Sequence, residues 1–392
     1  MTHAILSPSA AHRWMNCTKS ARLEEKFEDT PSDAALEGTI AHALCAELLI
    51  ELVSTGTFNE ENAIEGVCHS CEGFTPSQFD EWYDADMIEF AQQYALFVWD
   101  AYQRELKSTP DAVLMIEKKI DASMYGKDMA GTTDAAIVSD KVLHIFDFKY
   151  GRGVKVEAEG NPQMRIYALG NIEQYGGMYA FKDVKETIYQ PRIGNISTEE
   201  TTVAELRVWG HTQLKPAAEL AYDDKGEFKA GPWCKFCKAK ALCRAEAEHC
   251  TAQYHEDARK SADTLSDTEI AEIIGMSEEI TSWLDAVKQY ASTQLLSGHD
   301  IKGLKLVEGR SLRRYADETK VVDALHANGF KDEQIFDRRL KTLTAMQKTL
   351  TKNVFDAVLG ALIIKPQGAP TLAKETDPRP AYNSAQDDFK NV

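Results

Sequence analysis

Between residues 113 and 193 the apolar residues change from a helical to an alternating period, and this switch constrains the fold more than any other feature. VLMIEKKI (113–120), GTTDAAIV (131–138) and KVLHIFDF (141–148) each read as a strand, because apolar residues alternate or fill a short run between turn residues. Ser139-Asp140 is placed as the tight turn joining the last two, which predicts an antiparallel pair. Asn161-Pro162 predicts a helix start, with asparagine as the cap and proline in the first turn, opening QMRIYALGNIEQYG. KETIYQPRI (185–193) predicts a further strand. Upstream, Ile40, Leu44 and Leu48 recur every four residues between Glu37 and Val53, and the stretch from Thr75 to Leu106 predicts a second long helix. The order of helices, three strands, a helix and a strand predicts an α/β fold with one mixed central sheet flanked by helices.

The C-terminal part reads differently. Ser266-Asp267-Thr268-Glu269 is a capping box at the head of a helix reaching about Leu296. IKGLKLVEGRSLRRY (301–315) predicts a hairpin, and helices are expected over 317–328 and much of 333–363. The last segment, rich in Pro, Asp and Ala, has little to bury and predicts an extended tail. The chain therefore divides into 1–255, a mainly helical 256–366 and a tail over 367–392.

In a strand, residues two apart share a face, so Asp147 and Lys149 project with Leu143 and Ile145 while Phe146 and Phe148 point the other way. Asp134 belongs to the neighbouring strand. Two carboxylates at one point can hold a hard divalent cation, and a nearby ammonium can orient water and offset developing charge. Taken alone, Asp147-Phe148-Lys149 reads as a strand-end ion pair, worth about 0–1 kcal/mol if exposed. Three features point beyond that. Gln163 and Tyr167 are four apart on the following helix, His42 sits in an otherwise apolar helix, and Glu117 in MIEKKI offers another carboxylate.

Charge argues against a protein that coats nucleic acid, since the net charge is −18, although a local basic groove or bound metal can reverse the field. No apolar run approaches the roughly 20 residues of a membrane helix. The opening MTHAILSPSAAHRWMNC lacks a basic region followed by an apolar one, so a cytoplasmic setting with reduced thiols is expected. Cys234, Cys237 and Cys243 form a C-x2-C-x5-C run with the last thiol on a short helix. A fourth ligand is needed, and spacing leaves two choices: Cys250 would make a local zinc set, while Cys17 would close a site across more than 200 residues. Soft thiolates suit zinc and iron–sulfur clusters alike. Cys68-x2-Cys71 is a competing pair without a third close thiol, and Cys45 reads as packed core. Arg192 ends a strand near the site, where it can meet a phosphate or cap the strand.

His42 in GTIAH, Asp134 in GTTD, Asp147-x-Lys149 and Gln163-x-x-x-Tyr167 resemble, in order and spacing, the RecB-type branch of the PD-(D/E)XK nuclease superfamily. The resemblance spans about residues 5 to 250 and implies a restriction-endonuclease-like core. It implies that Asp134, Asp147 and the Phe148 backbone carbonyl bind Mg2+ or Mn2+ with His42 as a further ligand. Lys149 would position the attacking water, and Gln163 and Tyr167 would steady the site and touch the DNA backbone. The commoner acid at position 147 is Glu, one methylene longer. Members with an iron staple carry one cysteine before the histidine motif and three after the QxxxY helix, which Cys17, Cys234, Cys237 and Cys243 match one by one. The resemblance thus implies a [4Fe-4S] cluster, with Zn2+ as the alternative.

The whole chain also resembles a phage-borne group of such nucleases known as a domain of unknown function, with LSPSAAHRW near its start and GAPTLAKETDPRPA near its end. The expected activity is metal-dependent DNA hydrolysis, exonucleolytic, in phage recombination or processing within the host cytoplasm. The alternative is a catalytically silent DNA-binding or adaptor protein with a nuclease fold. DNA is the expected partner. The acidic, aromatic ending AQDDFKNV loosely resembles the docking tails of single-strand binding proteins, which adds phage recombination or single-strand binding proteins as expected partners. No membrane is expected, and an oligomer is allowed.

Overall fold

The alternation over 113–148 becomes three strands, β1 (Val113–Asp121), β2 (Ala130–Val138) and β3 (Val142–Phe148), in a computed structural model of the chain. The described residues are 4–27, 33–70, 83, 85–257, 266–307, 318–327, 331, 346, 352–359, 362 and 363. They fall in two compact units, Met1–Gln294 and Leu295–Val392. β4 (Asp183–Gln190) and β5 (Asn195–Thr202) complete a five-stranded sheet in the order β1-β2-β3-β4-β5. β3 and β4 are parallel and the other pairs antiparallel, so the sheet is mixed. The β2–β3 turn forms as expected, closed by Ser139 N–H donating to the Val142 carbonyl at 3.1 Å.

Helices cover both faces. α1 (Ala11–Asn16) and α2 (Ser20–Glu24) follow a short 3-10 turn, and α3 (Asp33–Thr55), α4 (Glu60–Ser70) and α5 (Ala85–Ser108) precede the sheet. α6 (Pro162–Tyr175) connects β3 to β4, and Asn161 caps it by accepting from the Gln163 and Met164 N–H groups. One sheet face buries Leu143, Ile145, Val184 and Ile188 with Met164, Ile166 and Leu169 of α6 and with Leu6 and Trp14. The other buries Ala135, Ile137, Phe146 and Phe148 against Ile40, Leu44 and Leu48 of α3 and Met87, Tyr94 and Val98 of α5. The alternation read in KVLHIFDF is therefore the division between two cores. Burying Phe146 and Phe148 contributes about 1.5–3 kcal/mol each.

β5 is not among the expected elements. Its sequence NISTEETT is polar because it is an edge strand, where solvent takes one side and charge discourages pairing with another chain. Gly194 at φ +66 supplies the left-handed turn into it. Also unexpected is the run α7 (Val203–Trp209), a π-helical turn (Gly210–Leu214) and α8 (Lys215–Tyr222). A β-carbon at Gly210 would meet the Tyr125 ring at 2.6 Å, so the turn needs glycine there.

α9 (Arg244–Asp257) begins one residue after Cys243, which places that thiol before the helix and not on it, as a correction to the expected position. α10 (Asp267–Leu296) has the expected capping box, with the Ser266 N–H and hydroxyl both donating to Glu269 Oε2 at 2.7 Å. In the second unit, α11 (Glu318–Ala327) agrees with the expected helix and α12 (Lys352–Leu359) falls within 333–363. Residues 301–307 form a turn and no strand, against the expected hairpin, whose second half lies outside the described residues, as do Cys71 and the expected tail. No helix among the described residues is long and apolar enough to cross a membrane.

Candidate functional site

The site forms where the pleat of β1 and β2 breaks. Their ladder pairs Ile116 with Ala135 and Lys118 with Thr133 but skips Glu117 and Asp134 between them. Glu117 has φ +48, a left-handed backbone that a non-glycine residue seldom adopts. Across this point the faces exchange. Ile116 and Ala135 pack on the α3 and α5 side, whereas Ile120 and Thr133, which strict alternation would put with them, face α6. Glu117 and Asp134 thus project from a local twist, and such strain is characteristic of functional sites.

The β2–β3 ladder stops at Ala135 and Phe146, one step short of Asp134 and Asp147, which its register would set opposite each other. In place of the next ladder bond, the Phe148 N–H donates to Asp134 Oδ2 at 2.8 Å. Because N–H and C=O of an extended residue point to the same side, the Phe148 carbonyl faces the same gap. His42 reaches in from α3, its Nδ1 3.2 Å from Asp134 Oδ2 and its ring edge-on to Phe148 at 5.5 Å. One ligand atom each from His42, Glu117 and Asp134 lies within 4.8 Å of the others, a group able to hold one metal ion.

Asp147 stands beside this group in other company. Gln163 Nε2 donates to Asp147 Oδ1 at 2.9 Å and to the Tyr167 hydroxyl at 3.3 Å, while Gln163 Oε1 accepts from Lys149 Nζ at 3.0 Å. Lys149 Nζ is also 3.0 Å from Asp147 Oδ2. Asp147 is 2 % exposed and the lysine 26 %, so the acid anchors the ammonium from below and leaves it facing solvent. A β-carbon at Gly131 would sit 3.0 Å from both Pro8 and the Tyr167 ring, so glycine lets β2 pass close under the tyrosine.

Burial pushes the Asp147 carboxyl up, partly offset by Lys149. Burial opposes charge on both His42 and Asp134, yet their mutual attraction dominates, raising the imidazole and lowering the carboxyl. Glu117 lies at the exposed rim, but desolvation of its carboxyl and then the Asp134 charge push it up to about 7. These are the opposing shifts expected of a cation-ready acidic cluster.

The structure brings His42, Glu117, Asp134, Asp147, Lys149, Gln163 and Tyr167 to one end of the sheet. Arg192 comes close but is engaged, donating to Glu37 Oε1 at 3.0 Å and lying over the Tyr150 ring at 4.3 Å. Sequence reasoning missed this Glu37–Arg192–Tyr150 group and the buried Tyr94, whose hydroxyl has no hydrogen-bond partner. Neither stands apart from ordinary helix and strand composition.

Cys17, Cys234, Cys237 and Cys243 line one cavity together with Trp233, Lys240 and Glu246, and Cys250 does not. The Lys229 N–H lies 3.4 Å from Cys17 Sγ. Burial raises Cys17, aided by nearby Cys243, and burial pushes Cys237 up to about 12. No three of these sulfurs fall within the 4.8 Å that the carboxylate site meets. Cys45 is buried among apolar residues as expected. Trp14 packs in the core and does not line the cavity.

With this geometry in place, the comparisons with known proteins add the following. The family model described as "Protein of unknown function (DUF2800)" matches residues 3–380. A solved structure, "Crystal structure of SSO0001", is 13% identical and aligns over 52% of this chain and 85% of its own with a TM-score of 0.23, too loose to inform the fold.

Proposed function

Because this chain belongs to the DUF2800 family, whose description assigns no activity, its function has to be read from its own site, and we propose a metal-dependent deoxyribonuclease of the RecB-type PD-(D/E)XK kind. The observation that carries the proposal is the pairing of a compact His42–Glu117–Asp134 group with an ammonium, Lys149, fixed beside it by Asp147 and Gln163. A strand-end ion pair would need only Asp147 and Lys149.

His42, Glu117 and Asp134 would hold Mg2+ or Mn2+, with Asp147 and the Phe148 carbonyl adjoining. When bound, such an ion polarises the phosphodiester and lowers the pKa of coordinated water. Lys149 orients the attacking water and offsets charge on the phosphoryl oxygens as the phosphorus–oxygen bond to the leaving strand breaks. Asp147 and Gln163 hold the lysine in one rotamer, and Tyr167 holds Gln163. An adaptor that only binds DNA has no use for a lysine restrained in this way.

The four thiols lining one cavity could serve as ligands to a metal group. Zinc–sulfur bonds of about 2.3 Å set tetrahedral sulfurs about 3.8 Å apart. The donor set is all thiol, as a [4Fe-4S] cluster requires, and the inclusion of Cys17 in place of Cys250 supports that reading, with Zn2+ as the alternative. It would tie the N-terminal helices to the end of the nuclease domain.

The test is digestion of end-labelled linear and circular DNA with Mn2+. Degradation of linear DNA only, stopped by chelator, is the expected result for an exonuclease. Persistence of both substrates in active-metal conditions would sink the nuclease reading.

A further inference from the structure

The segment Lys225–Arg244 holds six cationic residues, Lys225, Lys229, Lys235, Lys238, Lys240 and Arg244, against one acid, Glu227, in a chain of net charge −18. Aromatic rings interleave with them. Phe236 is 68% exposed and Phe228 49%, although burying such a ring is favourable. Lys235 Nζ lies 5.7 Å from the Phe236 ring centroid and Lys229 Nζ 5.5 Å from that of Trp233. The loop is held from beneath, since Cys234 and Cys237 flank Phe236 and Arg13 donates to the Phe236 carbonyl at 3.1 Å. A fixed, exposed ring among lysines is a surface made to be covered.

A relay of packed residues links this segment to Tyr167. Pro8 and Tyr167 meet over Gly131, and His12, one helical turn beyond Pro8, packs edge-on to Trp233 at 6.2 Å.

We propose that this loop is a single-stranded DNA-binding surface, with Phe236 as the stacking face and Lys235 and Arg244 on phosphates. A single strand presents the two chemistries the loop offers to meet, unstacked base faces and a run of phosphates. A duplex hides its base faces. The inference rests on the nuclease reading for its choice of nucleic acid, but its test needs no cleavage.

The full-length protein is titrated with a fluorescein-labelled oligothymidylate, and with a hairpin duplex, in Ca2+ to withhold turnover. Phe236→Ala weakens oligothymidylate binding by about fivefold to a hundredfold and duplex binding far less, while Phe236→Trp restores it. Lys235→Glu with Arg244→Glu makes the slope of log affinity against log salt shallower by about 1.4. Matching thermal unfolding and thiol titration show that the loop is still folded. Variants that bind oligothymidylate like the wild type overturn the proposal even if DNA is still degraded. So does equal loss on strand and duplex, or a wild type that binds polyglutamate and not oligothymidylate. Cleavage of a small aryl phosphodiester reports the acidic site separately, so its absence counts against the nuclease reading and not against this surface.

Discussion

The carboxylate site and the thiol cavity are assembled in opposite ways. Glu117, Asp134 and Asp147 come from three consecutive strands, and the ladders on either side of the break at Glu117 hold them in place before any ligand arrives. The thiols come from residue 17 and residues 234–243, joined by loops. The polar contacts across that closure include Arg13 to the Phe236 carbonyl at 3.1 Å, the Lys238 N–H to Glu24 at 2.8 Å and the Glu227 N–H to Thr18 at 3.1 Å. At Gly226 a β-carbon would overlap Thr18, so the chain can approach only as glycine. A ligand lost from a ladder-built site should cost chemistry, whereas one lost from a loop-built site should cost the fold.

The largest expected effect follows from the second half of that contrast. If the cavity holds the proposed cluster, Cys17→Ser should abolish iron binding and lower the melting temperature, since structural metal binding is worth on the order of 10 kcal/mol. Iron content and calorimetry measure this, and a stable, iron-replete variant would break the comparison. For the carboxylate site, Lys149→Ala should slow Mn2+-dependent DNA hydrolysis by about a thousandfold, near 4 kcal/mol, with the melting temperature almost unchanged. Undiminished cleavage would remove the lysine from the mechanism.

Glu186 sharpens the comparison, because it is an acid in the same sheet that no site uses. It is fully buried on β4 between Val184 and Ile188, neither oxygen has a hydrogen-bond partner, and burial, then Glu199, push it up to about 8. The folded state keeps this proton to higher pH than the unfolded chain, whose carboxyl titrates near 4.5. Its contribution is therefore fully present below pH about 4.5 and is lost as pH rises through about 8. Glu186→Gln should raise stability at pH 7 by up to about 3 kcal/mol and by little at pH 4.5. Urea midpoints across that range check this, and a difference without pH slope would count against the buried acid. The smallest effect is expected at Gln163→Ala, which frees both Asp147 and Lys149 without removing either. A loss of about 10- to 100-fold in turnover, with DNA affinity nearly kept, is expected of such a positioning residue.

Much of the site was legible in the sequence. Period-two alternation put Asp147 and Lys149 on one face, the Asn161-Pro162 cap fixed the phase of Gln163 and Tyr167, and His42 stood out from an apolar helix. The polar edge strand β5 escaped because little of it is buried. The positive φ of Glu117 escaped because no glycine marks it.

The places of β1 to β4 along the chain, the two opposite faces of β3 and the residue types of both clusters are determined by local pattern, since period and composition are properties of neighbouring residues. Which atoms meet was decided only by tertiary structure. The twist at Glu117 gathers three ligands and leaves Asp147 to the lysine, and the docking of α1 selects Cys17 over Cys250. Such choices depend on contacts between residues far apart in the chain, and spacing along the sequence carries no record of them.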